Sequence, residues 1–260
     1  MTDFQERYGP WALITGASSG MGVEFARQLA DQGLNLVLAA RRETRLRRLS
    51  EDLMTNAGVK VRIVVVDLSG RDFLDEIRAA TQDIEVGLLV NNAGVGLAGE
   101  FLQNDRKSEL AMLHLNARAP LLLSHLLGKA MQKRGRGGMI FMSSIVALAG
   151  IPSWSHYAAT KAYDLVLAEG LAGELKQSGV DVLAVSPGTT RTELVRLSRF
   201  GRLISQAPDA VVRTALKSLG KKRRVSPGLR NKLLAFSTRL APRFLNSRIF
   251  NWVIQRLRAA

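Results

Sequence analysis

Short apolar runs rich in β-branched residues alternate along this chain with longer stretches whose apolar positions recur every three or four residues. The runs 11–15, 35–40, 61–66, 87–90, 138–142 and 180–185 read as strands. The stretches near 21–32, 43–56, 71–82, 106–133 and 156–177 read as helices. Six strands with helices between them predict an α/β fold, a doubly wound parallel sheet of the Rossmann type. Runs such as 62–66, apolar after Arg62, and 88–90 follow the pattern of parallel strands covered on both faces. After Pro187 and Gly188 the alternation stops. A helix at about 192–204, a helix over 208–219, a basic turn at 221–224 and two further helices are expected, with Pro208 in a first turn and Gly220 as a cap. The expected organisation is one domain over 1–260, with a cofactor-binding and catalytic core at 1–190. Residues 191–260 then supply a helical substrate lid and a basic helical C-terminal tail.

Length agrees with a single domain, since 260 residues with 47% apolar content can bury roughly 70–75% of the unfolded surface around one core. The absence of cysteine excludes a disulfide scaffold, a thiolate metal site and a cysteine nucleophile together. It suits a cytoplasmic location, and the acids and arginine among residues 1–10 do not read as a signal peptide. No apolar run long enough to span a bilayer is evident. The net charge of +15 is unevenly placed. Residues 1–190 balance, whereas 191–260 hold 17 Lys and Arg against Glu193 and Asp209 alone.

The motifs fall where such a sheet needs them. Gly16, Ser18, Ser19, Gly20, Met21 and Gly22 follow the first strand and open the first helix, so that main-chain N–H groups and the helix N-terminus face a pyrophosphate. A glycine turn also serves ordinary strand-to-helix connections. Tyr157 and Lys161, four apart on a helix, share a face. A tyrosine of ordinary pKa near 10 needs a downward shift of about three units, roughly 4 kcal/mol, to work as a base at neutral pH, and an adjacent ammonium acts in that direction.

Taken in order, T-G-x-x-x-G-x-G at 15–22, N-N-A-G at 91–94 and Y-x-x-x-K at 157–161 resemble the short-chain dehydrogenase/reductase family over roughly residues 9–192. The tail around 225–232 is similar, more weakly, to the branch with 3-oxoacyl thioester and hydroxysteroid reductases. The resemblance implies a nicotinamide dinucleotide and hydride transfer, with Tyr157 as proton donor, Lys161 beside it, Ser144 as oxyanion donor and Asn116 holding a water. Ser143 competes with Ser144. It also implies Asp67 with Leu68 at the adenine, Asn91, Ala93 and Gly94 along the adenosine ribose, and Pro187, Gly188, Thr190 and Thr192 at the nicotinamide. A helix cap for Asp67, turn chemistry for Asn91 or Pro187 and a satisfied amide for Asn116 are the plainer alternatives.

Where NAD users carry an acid at the end of the second strand, this chain has Ala40 followed by Arg41 and Arg42. A guanidinium matches phosphate geometry, so NADP(H) is the expected cofactor, read first by Arg41 and then by Arg42. A solvated basic helix start is the plainer reading of the same arginines. His114, His125 and His156 have no ligand set around them, and no metal is expected. The expected activity is reduction of an apolar carbonyl, a ketone such as a 3-oxoacyl or steroid-like compound, past a wall including Leu97, Ala98, Phe101, Leu148, Ile151, Trp154, Leu194, Leu197 and Phe200. Alcohol oxidation by the same residues, or a non-catalytic nucleotide-sensing or nucleic-acid-binding protein, are the alternatives. A homo-oligomer is expected, with the basic tail free to meet an anionic surface: membrane headgroups, acyl-CoA or an acyl carrier. Leu245, Ile249, Trp252, Val253 and Leu257 would then share one helical face.

Overall fold

The computed structural model describes residues 2–191, 205–240, 245–248 and 250–252. Seven parallel strands form one sheet in the order β3-β2-β1-β4-β5-β6-β7: β1 Trp11–Thr15, β2 Asn35–Ala40, β3 Val61–Val65, β4 Val86–Asn91, β5 Gly137–Met142, β6 Val180–Val185 and β7 Arg224–Val225. Sequence periodicity predicts six. The seventh has only two residues, too few to carry a period, and exists because Ala184 and Val185 at the end of β6 pair with Arg224, the last residue of the predicted basic turn, and with Val225 after it.

Helices α1 Asp3–Tyr8, α2 Gly20–Asp31, α3 Glu43–Ala57, α4 Phe73–Thr81, α5 Arg106–Leu113, α6 Ala119–Arg134, α7 Ser155–Glu174, α8 Pro208–Ser218 and α9 Leu229–Leu240 cover the sheet. Strand side chains alternate between its faces: Leu36 and Leu38 of β2 enter one core cluster, Val37 and Ala39 the other. Every residue of β4 and β5 is buried, which is why these strands read as continuous apolar runs. A third, smaller cluster joins Ile145, Val146, Ala149, Ile151 and Ala158 to Phe250 of the tail.

The helix expected over 106–133 is interrupted by a π-helical segment, His114–Arg118. Pro120 lacks the N–H that would bond the Asn116 carbonyl in an α-helix, and the Ala119 N–H bonds back five residues to the His114 carbonyl. The widened turn carries Asn116, which is fully buried. Sequence position alone places this break only if Pro120 is weighed against Asn116. The order of the sheet reverses between β1 and β4, so the crevice beyond their carboxyl ends is where ligands bind in such folds.

Candidate active site

A cleft of about 370 Å³ opens at that switch point. Of the residues expected at a cofactor, it brings together Gly16, Ser18, Ser19, Gly20, Met21, Arg41, Arg42, Asp67, Leu68, Ala93 and Gly94. Gly22 lies beneath it as a packing requirement: a Cβ there would stand 2.2 Å from the Gly16 carbonyl oxygen, so only glycine lets α2 start against the loop. Asn91 is buried and its Nδ2 donates to Ser124 Oγ at 3.1 Å, while Asn92 takes the place in the cleft wall. Asn92 also donates from Nδ2 to the Thr15 carbonyl at 2.8 Å and thereby ties the β4 loop to the glycine loop. Its signal in the sequence is the second Asn of the same tetrapeptide.

Arginine geometry separates the two cations. Arg42 folds back over the glycine loop, donating from Nε to Ser18 Oγ at 3.0 Å and from Nη2 to Ser19 Oγ at 2.6 Å. Arg41 stands 3.8 Å from Asp67 Oδ2, and both side chains are at least half exposed. Such a pair contributes only about 0–1 kcal/mol, so Arg41 exchanges it readily for another anion. Burial pushes the Asp67 carboxyl up, but the Ser69 hydroxyl and N–H outweigh it, and with Arg41 they hold the group below the usual carboxylate range.

On the other side of the β4 loop lies the tyrosine. Ser144 lies near enough to the Tyr157 phenol to lower its pKa, and Ser144 Oγ accepts the Val146 N–H at 3.4 Å. Ser143 is directed elsewhere, donating from Oγ to the Lys161 carbonyl at 2.7 Å. Burial pushes the Tyr157 phenol up, against Lys161 and Ser144, which pull it down. Asn116 accepts the Val95 N–H at 3.0 Å and donates to the Val95 carbonyl at 2.8 Å and to Thr160 Oγ1 at 3.0 Å, locking the loop after β4 onto α7. A Cβ at Gly94 would sit 3.3 Å from both Asn116 Oδ1 and Lys161 Nζ, so this loop joins the cleft to the lysine. Trp154 packs edge-on against Tyr157 with ring centroids 5.2 Å apart.

Lys161 has a partner that the motifs do not reveal. Its Nζ donates to the Met142 carbonyl at 2.8 Å and to Asp164 Oδ2 at 2.9 Å, with both side chains almost fully buried. Burial lowers the Lys161 pKa, but Asp164 and Tyr157 outweigh it and leave the ammonium above its ordinary range. Burial raises the Asp164 carboxyl more than Lys161 lowers it. Its signal in the sequence is an acid three residues after the lysine, on the same helix face.

The turn after β6 is tied to the segment that follows Ser144: the Pro187 carbonyl accepts the Ile145 N–H at 3.0 Å, and Thr190 Oγ1 donates to the Gly188 carbonyl at 3.1 Å. Neither these residues nor Tyr157 and Lys161 line the cleft itself. Thr192, Leu194, Leu197 and Phe200 lie outside the described residues. Ile151 is 1% exposed and belongs to the third cluster, whereas Phe101 is half exposed. His156 pairs with Glu109, which in turn accepts from Asn104 Nδ2 at 2.7 Å.

The family model described as short chain dehydrogenase matches residues 10–201. The chain belongs to the short-chain dehydrogenase family. Among curated proteins this member is similar to a 7beta-hydroxysteroid dehydrogenase of Mediterraneibacter gnavus, 31% identical over 88% of this chain and 89% of that protein. It is also similar to a very-long-chain 3-oxoacyl-CoA reductase-like protein of Arabidopsis thaliana, 32% identical over 91% and 78%. Its structure resembles that of a 7beta-hydroxysteroid dehydrogenase, with a TM-score of 0.88 at 28% identity over 95% of this chain and 99% of the other. A short-chain dehydrogenase from Sphingobium yanoikuyae in complex with NADPH superposes with a TM-score of 0.78 at 32% identity over 89% and 94%. The family and the seven-stranded Rossmann sheet are therefore shown, and the chain is an oxidoreductase of this family.

Proposed function

We propose that this short-chain dehydrogenase reduces a bulky, apolar ketone with NADPH. The observation that carries the reading is the convergence of Ser144, Tyr157 and Lys161 behind the loop after β4, whose Gly94 also lines a cleft that presents Arg41 and Arg42 where an acid would select NAD. The donor set fits the cofactor: the N-terminus of α2, Ser18, Ser19 and Arg42 suit the phosphates, and the glycine loop admits backbone to close range. When bound, the dinucleotide supplies the hydride. Tyr157 donates its proton to the carbonyl oxygen as charge develops there, and Ser144 donates a hydrogen bond to the same oxygen. Lys161 holds positive charge beside the phenol, and Asn116 fixes the loop that separates tyrosine from cleft. Trp154, Leu148 and Phe101 make the substrate side apolar, and similar proteins are named for hydroxysteroids and 3-oxoacyl-CoA.

The test is consumption of NADPH and NADH with a panel of ketosteroids, 3-oxoacyl thioesters and small ketones, with Tyr157→Phe as control. Turnover of the bulky members with NADPH, abolished in the variant while NADPH binding persists, supports the reading. Turnover unchanged by Tyr157→Phe rejects it.

The basic tail supports a second element of function, docking on an anionic lipid surface. In α9, Asn231, Leu234, Ala235 and Thr238 face inward, while Leu229, Leu233 and Phe236 form an exposed stripe with the exposed Arg230 on one edge and Lys232 on the other. Apolar centre and basic margins are the arrangement of an interfacial helix. A second copy of the chain would bring the same positive charge against it, which disfavours self-association through this face. No described helix is long and apolar enough to cross a membrane, so contact of this kind would be peripheral. Beyond α9, Leu245 and Trp252 of the expected face are both exposed, while Asn246 and Phe250 are buried. Phe250 fills the third cluster beside the catalytic wall and so sets which face turns in. Ile249, Val253 and Leu257 lie outside the described residues.

A further inference from the structure

Asp164 is a costly residue to keep. It lies two turns along α7 from Tyr157, 2% exposed, beside Leu165 and Ala168 of the core, in surroundings that otherwise suit an aliphatic side chain. Burying a carboxylate costs several kcal/mol in general unless its oxygens are matched. Here only Oδ2 is matched, by Lys161, and Oδ1 has no hydrogen-bond partner among the described residues. An ammonium has three donors. Two of those of Lys161 are fixed by Met142 and Asp164, which leaves one for the reaction centre.

We propose that Asp164 is a positioning residue: it holds Lys161 against the end of β5 and balances its charge, so that Tyr157 rests as the proton-bearing phenol required of a proton donor. The inference rests on the tyrosine having the role argued above. The ionisable groups around the pair are few and placed. Tyr157, Lys161 and Tyr163 share α7 with Asp164, and the Glu109–His156 pair sits at the first turn of the same helix. From β5, from the segment after it and from the π-helical segment, the groups facing in are neutral: the Met142 carbonyl, Ser143, Ser144 and Asn116. The field at the phenol is thus set by one cation that favours phenolate and one anion that opposes it. Removing the anion leaves the cation unopposed, and Tyr157 ionises more easily.

The experiment is a titration of tyrosinate by near-ultraviolet absorbance in the full-length protein, comparing wild type with Asp164→Asn and Asp164→Leu. Tyr157→Phe assigns the signal. Only Tyr8, Tyr157 and Tyr163 are present, and Tyr8 is held far above the working range by burial and by Asp181. The expected result is Tyr157 ionisation at a pH lower by about one unit or more in both variants. In active protein, the acid limb of the alcohol-oxidation profile moves down by the same amount. A variant that merely disturbed packing would leave the tyrosinate signal in place, and thermal unfolding shows whether each variant is folded. Asp164→Leu, which suits its core neighbours, carries the test if Asp164→Asn folds poorly. Ionisation at an unchanged or higher pH, or in none of the proteins, overturns the proposal. The titration needs no substrate, so a ketone panel without turnover would reject the function argued above and leave this inference standing.

Discussion

Replacing Lys161 with methionine tests the buried pair through stability. The substitution keeps most of the volume but deletes the charge that matches Asp164 Oδ2, leaving a carboxylate that is 3% exposed with neither oxygen satisfied. Breaking a buried pair in this way costs about 3–5 kcal/mol. For a domain of this size each kcal/mol lowers Tm by roughly 2–4 °C, so a fall of about 6–20 °C is expected at neutral pH. The double variant Lys161→Met/Asp164→Leu should recover most of that loss, because no buried charge remains. The pH dependence has a definite sign. Burial already raises the Asp164 carboxyl, and loss of Lys161 raises it further. A carboxyl whose folded pKa exceeds its unfolded value near 4 stabilises the fold while protonated, and that contribution is lost as pH rises through the folded pKa. The deficit of Lys161→Met relative to wild type should therefore be largest at neutral pH and shrink on acidification. Denaturant melts at several pH values measure this. A single variant as stable as wild type, or a double variant less stable than the single, would refute the buried-pair reasoning.

Three further outcomes are expected. Ser144→Ala should lower turnover about 10²–10³-fold. Ser143→Ala should chiefly cost about 0.5–1.5 kcal/mol of stability by removing the hydroxyl's bond to the Lys161 carbonyl, and kinetics with melting curves on both would reveal an exchange of roles. Arg41→Ala should weaken NADPH about 10- to 150-fold and NADH hardly at all, so equal losses by fluorescence titration would remove Arg41 from the 2′-phosphate. Full-length protein should sediment with anionic vesicles but not neutral ones, less so at high salt, and Leu233→Ser/Phe236→Ser should abolish this; salt-insensitive binding would exclude an electrostatic surface.

The sequence by itself determined the layer architecture. Parallel strands buried on both faces must be continuous apolar runs, and glycine at 16 and 22 and the Tyr157–Lys161 spacing are local properties that read directly from the chain. It also placed Arg41 and Arg42 at the end of β2, because a strand end follows from the run that precedes it. Contacts between distant segments were decided only in three dimensions. β7 forms because the edge of β6 is there to pair with it. The π turn at Asn116 is set by a missing N–H and by the loop that the side chain fastens. Ser143 and Ser144, identical neighbours in sequence, are told apart by the Lys161 carbonyl and the Tyr157 phenol that happen to face them. Asp164 looked like one more helix acid until packing buried it, since a charge has meaning only once its surroundings fix what it can be paired with.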